Sequence, residues 1–409
     1  MSRLLTPKTI RRSLMSLSGL SESQRVVREG VGRICSRFDD GYWRGKDARE
    51  EDAHEFHAAL AADGWLGIAV PESEGGSGLG VSEATVMMQT VAESGGGMAA
   101  AQTIHGNVYA TQPLMRFGSE PLVRETVPAV VSGRARLCFA VTEPGSGLET
   151  LAMTTRARRV EGGSYVISGR KIWITCAQVA SKMLLLARTG ESPPTARTEA
   201  LSLFCIDLDR NRPGLTMERI RKMGSRAVDA NEVVFDGYPV PETARVGPEG
   251  SGFRAVLHGL NAERCLLAGE ALGLGYAALE RAAAYARERV VFGRPIGANQ
   301  GVSHPLADAY VRLEAARLAT YHAARLYDEA EEQTEAVGAA ANAAKYVAAE
   351  AAFTACERAV LAHGGMGYAA EYDVERWFRD SLIPRMAPVS REMILNYISE
   401  RVLHLPRSY

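Results

Sequence analysis

"FRAVLHGLNAERCLLAGEALGLGYAALERAAAYARER" (Phe253–Arg289) decides how the second half of the chain folds. Leu260, Leu267, Ala271, Leu274 and Ala278 recur at helical steps. One continuous helix over Phe253–Arg289 would be roughly 55 Å long at ~1.5 Å per residue. Its side chains are mostly small or apolar, so it is built for burial. Glu263 and Arg264 stand side by side within it. A buried carboxylate costs on the order of several kcal/mol unless it is paired or has a chemical task. The reason for Glu263 is therefore the functional question this helix raises.

Two further helices follow. "SHPLADAYVRLEAARLATYHAARLYDEA" (Ser303–Ala330) predicts a helix with Ser303 as N-cap and Pro305 in its first turn. "EAVGAAANAAKYVAAEAAFTACERAVLAHGG" (Glu335–Gly365) has the small side chains that suit close helix packing. Residues 247–409 thus predict a C-terminal four-helix bundle. Upstream, residues 135–246 switch to short β-branched and aromatic runs between turn residues. "LCFAVT", "KIWIT", "KMLLLAR", "LSLFCIDL" and "NEVVFDG" are examples. They predict a small β-barrel or sandwich rather than βαβ units. Residues 21–134 read as helices broken by glycine and proline. "EDAHEFHAALAADG" has an acidic start and a Gly64 stop, and "SEATVMMQTVAESGGG" runs from a Ser82 cap to a glycine end. Residues 1–20 form an N-terminal arm. The fold class expected is α+β: an N-terminal helical domain, a middle β-barrel domain and a C-terminal helical bundle.

The 409 residues carry 47 Lys plus Arg against 48 Asp plus Glu, a net charge of −1. That balance argues against nucleic acid or an anionic membrane as the main partner, while leaving room for a local basic pocket for a phosphorylated ligand. No apolar run approaches the length of a membrane span. The six cysteines (Cys35, Cys138, Cys176, Cys205, Cys265 and Cys356) form no CxxC pair, so reduced, buried thiols are expected. No metal is expected: His54 and His57 in "HEFH" have the wrong spacing for a zinc helix and predict an exposed amphipathic one. The location expected is the cytoplasm, or the mitochondrial matrix if the basic N-terminal arm is a transit segment.

"GGSGLG" (Gly75–Gly80) follows no strand of a βαβ unit, so it reads as a loop and a nicotinamide enzyme is disfavoured. Two stretches of the β-zone say more. "CFAVTEPGSGLETLAMTTRA" (Cys138–Ala157) sets Thr142 at a strand end before a Pro-Gly turn. "SGRKIWITCAQVAS" (Ser168–Ser181) sets Trp173 and Thr175 two apart, on one face of a strand. An indole beside a hydroxyl suits a flat, polar-edged cofactor. It equally suits an aromatic packed in a sheet beside a satisfied threonine.

The order TEPG, GRKIWIT, RKMGSRAVDANEVVFDGYPVP, ERVVFGRPIGANQ and HGGMGYAAEYDVERWFRD closely resembles the acyl-CoA dehydrogenase family, from about Ser21 to Tyr409. The resemblance implies FAD, an acyl-CoA thioester, a homotetramer or homodimer, and an electron-transferring flavoprotein as acceptor. It implies that Phe139 to Gly147, Val141 included, cradle the flavin. Thr142 would bond the ring edge, Trp173 pack on the ring and Thr175 bond near N5. Arg289, Phe292 and Gln300 match positions that grip a neighbouring subunit's FAD. Gly364 and Gly365 match its close backbone approach, and Ser390 and Glu392 another FAD contact. Leu148, Asn261, Arg264 and Val389 fall where the family touches its substrate. Some positions depart from the family: Leu148 replaces a serine, Leu361 a glutamine, and Val290 and Val291 lack a hydroxyl. The largest departure is in "RMAPVSREMI" (Arg385–Ile394), where many members carry the catalytic glutamate and this chain has Pro388.

The implied reaction is α,β-desaturation: a base takes the α-proton while a β-hydride leaves to flavin. Without a carboxylate facing the α-carbon, the rate should collapse. Isovaleryl-CoA and long-chain members place their glutamate on the first long bundle helix, before an arginine, and the matching residue is Glu263. On a helix Gly259, Leu260, Leu266 and Leu267 lie at i±3 and i±4 from it. Three apolar side chains would desolvate the carboxylate and raise its pKa, and Gly259 would leave room for a ligand. Glu270, Glu371 and Glu392 are weaker rivals. Base placement here mildly favours bulky or branched acyl groups. The alternatives are an oxidase or carrier-protein desaturase on the same scaffold, and a non-catalytic accessory subunit.

Overall fold

The long helix expected over Phe253–Arg289 runs unbroken from Gly252 to Glu288. It is the axis of the computed structural model, which describes residues 13–190, 194–332 and 334–407. Most of the N-terminal arm, residues 1–12, lies outside the described residues.

Seven helices come first: α1 (Glu22–Cys35), α2 (Asp40–Arg49), α3 (His54–Ala62), α4 (Val81–Val91), α5 (Gly97–Tyr109), α6 (Thr111–Phe117) and α7 (Glu120–Val131). Ser21 opens α1 with a capping box to Gln24, and Asp39 caps α2. Two expectations change in this region. First, α4 starts after Gly80, not at a Ser82 cap. The orphan N–H groups of Val81 and Ser82 both donate to the Asp328 carboxylate, at 2.8 Å each. That acid stands 246–247 residues away and does the work a local cap would do. Second, the "HEFH" helix α3 is not an exposed one. His54 faces out, but His57 is buried with Phe56 and Leu60. Burial, aided by Arg136, pushes the His57 imidazole down to about 3, so it sits neutral beside the Asn107 amide. The glycine run after α4 breaks the helix: Gly95 and Gly97 have φ of 112° and 59°, and α5 starts at once.

The strands are β1 (Leu137–Ala140), β2 (Arg156–Arg159), β3 (Tyr165–Thr175), β4 (Lys182–Arg188), β5 (Leu201–Asp207), β6 (Leu215–Arg219), β7 (Ala230–Val240) and β8 (Arg245–Val246). They form one sheet in the order β6-β7-β3-β2-β4-β5-β8, with β1 parallel to β4. The sheet wraps one core that includes Tyr165, Phe204, Phe235 and Tyr238. β3 pairs antiparallel with β7 from Tyr165↔Val240 to Thr175↔Ala230, and its register shifts between Lys171 and Ile174.

The third unit holds α8 (Gly252–Glu288), the ribbon β9 (Val290–Val291) and β10 (Arg294–Pro295), α9 (Gln300–Glu329) and α10 (Glu335–His363). It ends with α11 (Val374–Asp380), α12 (Ile383–Met386) and α13 (Arg391–Tyr397). α9 starts after Asn299, three residues before the expected Ser303 cap. Ser303 instead bonds back to the Asn299 carbonyl at 3.2 Å. Pro305 then lies in the second turn, where its missing N–H leaves only the carbonyl of exposed Gly301. The three long helices pack on one another, α13 packs against α10, α11 against α8 and α10, and α4 against α8. From Ala262 to Leu279 every residue of α8 is buried, as expected of a helix surrounded by others. Gly273 permits the approach: a Cβ there would sit 2.2 Å from the Gln89 carbonyl oxygen of α4. All six cysteines are buried, and none is in a disulfide. Among the described residues no helix is long and apolar enough to cross a membrane.

Candidate functional site

α5, α8 and the edge of the sheet enclose a cavity of about 210 Å³. The β-unit contributes Phe139, Thr142, Trp173 and Thr175, and α5 contributes His105 and Tyr109. Leu260, Glu263, Leu267 and Glu270 come from α8, and Pro388 from the loop after α12.

The β-unit wall is fixed by a buried ion pair. Glu143, next to Thr142, accepts from Lys171 Nζ at 3.0 Å and from the backbone N–H groups of Thr154 and Thr155 at 2.7 and 2.9 Å. Burial alone would raise its pKa, but Lys171 and these donors outweigh that and hold the carboxyl at about 2. Lys171 also donates to the Val141 carbonyl at 2.9 Å, and Ile172 N–H to that of Thr142 at 3.0 Å. The loop carrying Thr142 is thereby tied to β3. The register shift in β3 gives Trp173 a φ of 63° and leaves it 57% exposed. A large indole in solvent on a strained backbone is a surface awaiting a partner. Thr175 shares its face, and both reach the cavity.

Glu263 is 8% exposed. Its surroundings differ from the apolar shell the sequence predicts. Leu260 and Leu267 line the cavity, but Leu266 turns into the core. A Cβ on Gly259 would lie 3.3 Å from Pro113 Cδ, so that glycine serves helix packing with α6 rather than space for a ligand. The neighbour missing from the sequence reading is His105, whose Nε2 lies 3.3 Å from Glu263 Oε1. Its Nδ1 donates to Glu270 Oε1 at 2.5 Å. Burial would lower this imidazole, but Glu270 and Glu263 outweigh burial and raise it to about 10. His105 is therefore a cation. The second oxygens, Glu263 Oε2 and Glu270 Oε2, are buried without a partner. His105 lies in "TIHGN" (Thr103–Asn107), which carries no motif. The available signal was Glu270 itself: two acids seven residues apart share a helix face, and a buried pair of acids requires a cation.

Asn261 and Arg264 line a second, wider cavity of about 1030 Å³, whose wall also holds Arg116, Arg254, His258, Asp328 and Glu335. Arg264 donates to Asn261 Oδ1 at 2.7 Å, so it points away from Glu263's cavity. Other expected contacts lie elsewhere. Gly147 and Leu148 sit on an exposed loop. The Val389 carbonyl accepts from Lys345 Nζ at 2.6 Å. Ser390 caps α13, and Glu392 is exposed beside Arg391. Glu371 is exposed too. Arg289, Phe292 and Gln300 are exposed at the far end of the bundle, Phe292 almost fully at 99%. Gly364 and Gly365 are at the same end, where His363 stacks on Tyr285 of α8. A Cβ on either would meet nothing within 4 Å in this chain, and Gly364 has a φ of 57°. Along α8, Glu263 and Arg289 are roughly 39 Å apart at ~1.5 Å per residue, so they are not walls of one pocket. Cys138 and Cys176 border the cavity, but burial pushes both thiols up and makes them poor nucleophiles. No cluster of metal-ligating side chains occurs among the described residues.

Comparison with known proteins agrees with the three-unit architecture. Residues 21–134, 138–238 and 250–403 match the N-terminal, middle and C-terminal domains of acyl-CoA dehydrogenases. The chain is 34% identical over 394 residues to Acyl-CoA dehydrogenase FadE12 of Mycobacterium tuberculosis (strain ATCC 25618 / H37Rv), covering 95% of this chain and 98% of that one. It is 33% identical over 322 residues to Caffeyl-CoA reductase-Etf complex subunit CarC of Acetobacterium woodii, covering 78% and 82%. The solved FAD complex of PigA superposes with a TM-score of 0.87 at 26% identity, covering 95% of this chain and 99% of that one.

Proposed function

The chain belongs to the acyl-CoA dehydrogenase family, and we propose that its catalytic base is Glu263. The activity of the family, FAD-dependent dehydrogenation of an acyl-CoA, is the activity of this chain. One observation carries the proposal. Glu263 and Pro388 line the same cavity, so the two positions from which the family presents its glutamate face one space. Of these two positions only Glu263 offers a carboxylate, with Oε2 unpartnered; Glu270 also lines the cavity, but His105 Nδ1 holds it at 2.5 Å, against 3.3 Å from Nε2 to Glu263.

The β-wall fits a flavin. Thr142 and Thr175 offer hydroxyls for a polar ring edge, and the exposed face of Trp173 offers a surface for stacking. Bound FAD supplies the acceptor for the β-hydride. Within the site, Glu263 Oε2 takes the α-proton of the acyl-CoA, and Leu260 and Leu267 keep water from that carbon. The phosphorylated end of the substrate runs into the wider cavity, where Asn261 and Arg264 meet it with Arg116 and Arg254. Placement of the base on α8 rather than at residue 388 favours a bulky or branched acyl group.

Arg289, Phe292, Gln300, Gly364 and Gly365 serve the FAD of a neighbouring subunit. A fully exposed Phe292 fits burial in a homotetramer or homodimer. Electrons leave to an electron-transferring flavoprotein, as the name of the CarC relative suggests. Six buried thiols outside any disulfide fit a reducing cytoplasm. The units divide at 134/135 and 246/247, in the links between α7 and β1 and between β8 and α8.

Anaerobic titration of the purified yellow protein with a panel of acyl-CoAs, read by flavin bleaching, tests this reading. The parent should bleach best with bulky or branched acyl groups. Glu263→Gln should keep FAD and bind ligand without bleaching. Near-normal bleaching in that variant would sink the assignment, and fast reoxidation by oxygen would mark an oxidase instead.

A further inference from the structure

Glu263 and Glu270 on α8 face opposite edges of one imidazole ring on α5. His105 Nδ1–H donates to Glu270 Oε1 at 2.5 Å, and Nε2–H donates to Glu263 Oε1 at 3.3 Å. A neutral imidazole has a single N–H, so two carboxylates at both nitrogens require the doubly protonated ring. We propose that His105, anchored by Glu270, is the positioning residue for the base: it grips one carboxylate oxygen of Glu263 and leaves the other free for the substrate. This rests on Glu263 being the base.

The second acid has a reason in charge balance. At rest the cluster holds two carboxylates and one cation. When Glu263 accepts the α-proton it becomes neutral, and its hold on the ring weakens. The Glu270 bond keeps the ring paired, so the step creates no lone buried cation. With a neutral residue at 270, proton transfer would strand the imidazolium, which would then lose its proton and its grip. The other groups near Glu263 do not replace His105. The Tyr109 hydroxyl and the Cys138 and Cys176 thiols stay neutral through burial. Arg264 bonds Asn261, and Lys345 bonds the Val389 carbonyl. The plain alternative is an ion cluster that only joins α5 to α8.

His105→Gln and Glu270→Gln, alone and each combined with Glu263→Gln, separate the two. His105→Gln should retain FAD and nearly the parent KM while kcat falls up to about 10²-fold, the range expected of a misplaced reacting group. The acidic limb of its kcat profile should move to higher pH, because the cation beside the carboxylate is gone. Glu270→Gln should lower kcat in the same direction. Neither should add a loss to Glu263→Gln, since a positioning residue without its base has nothing to position. Unchanged kcat and pH profile in His105→Gln would overturn the proposal, as would an equal loss with and without Glu263. If His105→Gln binds no FAD, Glu270→Gln decides: unchanged kcat there overturns the proposal. Normal bleaching by Glu263→Gln would instead show that the base assignment itself had failed.

Discussion

A carboxylate inside a protein needs a partner or a task, and the buried acids near this site divide on that line. Glu143 has partners: Lys171, itself fully buried, and two backbone donors. Its pKa is held at about 2, against 4.5 for a free glutamate. The folded value is depressed, so the pair's stabilisation is complete above about 4.5 and drains away as pH falls toward 2. Glu143→Gln should therefore unfold about 3–5 kcal/mol more easily at neutral pH, because it strands a buried ammonium. It should also lose that acid-range dependence, and denaturant titrations at several pH values would show both. An unchanged midpoint would refute the clamp. For Glu263 the task is the one proposed above, and the sequence singles it out because a carboxylate among the leucines and alanines of a buried helix is not explained by packing alone. His105 was not legible there, since the acids that make it a cation lie 158 and 165 residues along the chain.

Elements were legible where the information is local. The period of α8 and the alternation of β3 follow from adjacent residues. Helix ends were legible only where the cap is a neighbour, as at Ser21 and Asp39. They were missed at α4, whose cap is the distant Asp328, and at α9, whose start follows Asn299 at the end of the β9–β10 ribbon. The left-handed Trp173 was missed as well, because a register shift depends on how β3 meets β7. α8 owes its central place to glycine. Gly273→Ala would force a methyl against the Gln89 carbonyl and should cost about 1–3 kcal/mol as overpacking, measured by thermal unfolding. A neutral result would mean that α4 and α8 can part without loss. The loop holding Pro388 makes a further prediction. Pro388→Glu in the Glu263→Gln background returns a carboxylate to the same cavity, so flavin bleaching should recover in part. No recovery, with the carboxylate bound in place, would argue against a shared cavity for the two base positions.

For the whole molecule, periodicity was enough to mark three zones, but their joining was not in the sequence. Asp373, fully buried before α11, takes Arg44 of α2 at 2.6 Å, Arg281 of α8 at 3.4 Å and Arg376 at 3.1 Å. Asp47 of α2 similarly takes Arg226 of the β-unit and Arg379 of α11. These pairs are spaced by as many as 332 residues, so no local pattern announces them. Asp373→Asn keeps a side chain that tolerates the left-handed backbone at this position and removes only the charge. It should cost about 3–5 kcal/mol by leaving arginines unpaired, seen as a lower unfolding midpoint with FAD lost in the same transition. Separate transitions would mean that the units are not locked through this carboxylate. With the units locked, Glu263 of the third faces Thr142 and Trp173 of the second, and that meeting is what the proposed chemistry requires. The most direct test is the rate of flavin reduction after anaerobic rapid mixing of Glu263→Gln with an acyl-CoA that bleaches the parent. With FAD content and ligand affinity unchanged, the rate should fall by about 10²–10⁴-fold, the usual contribution of a general base. A rate within tenfold of the parent would contradict Glu263 as the base.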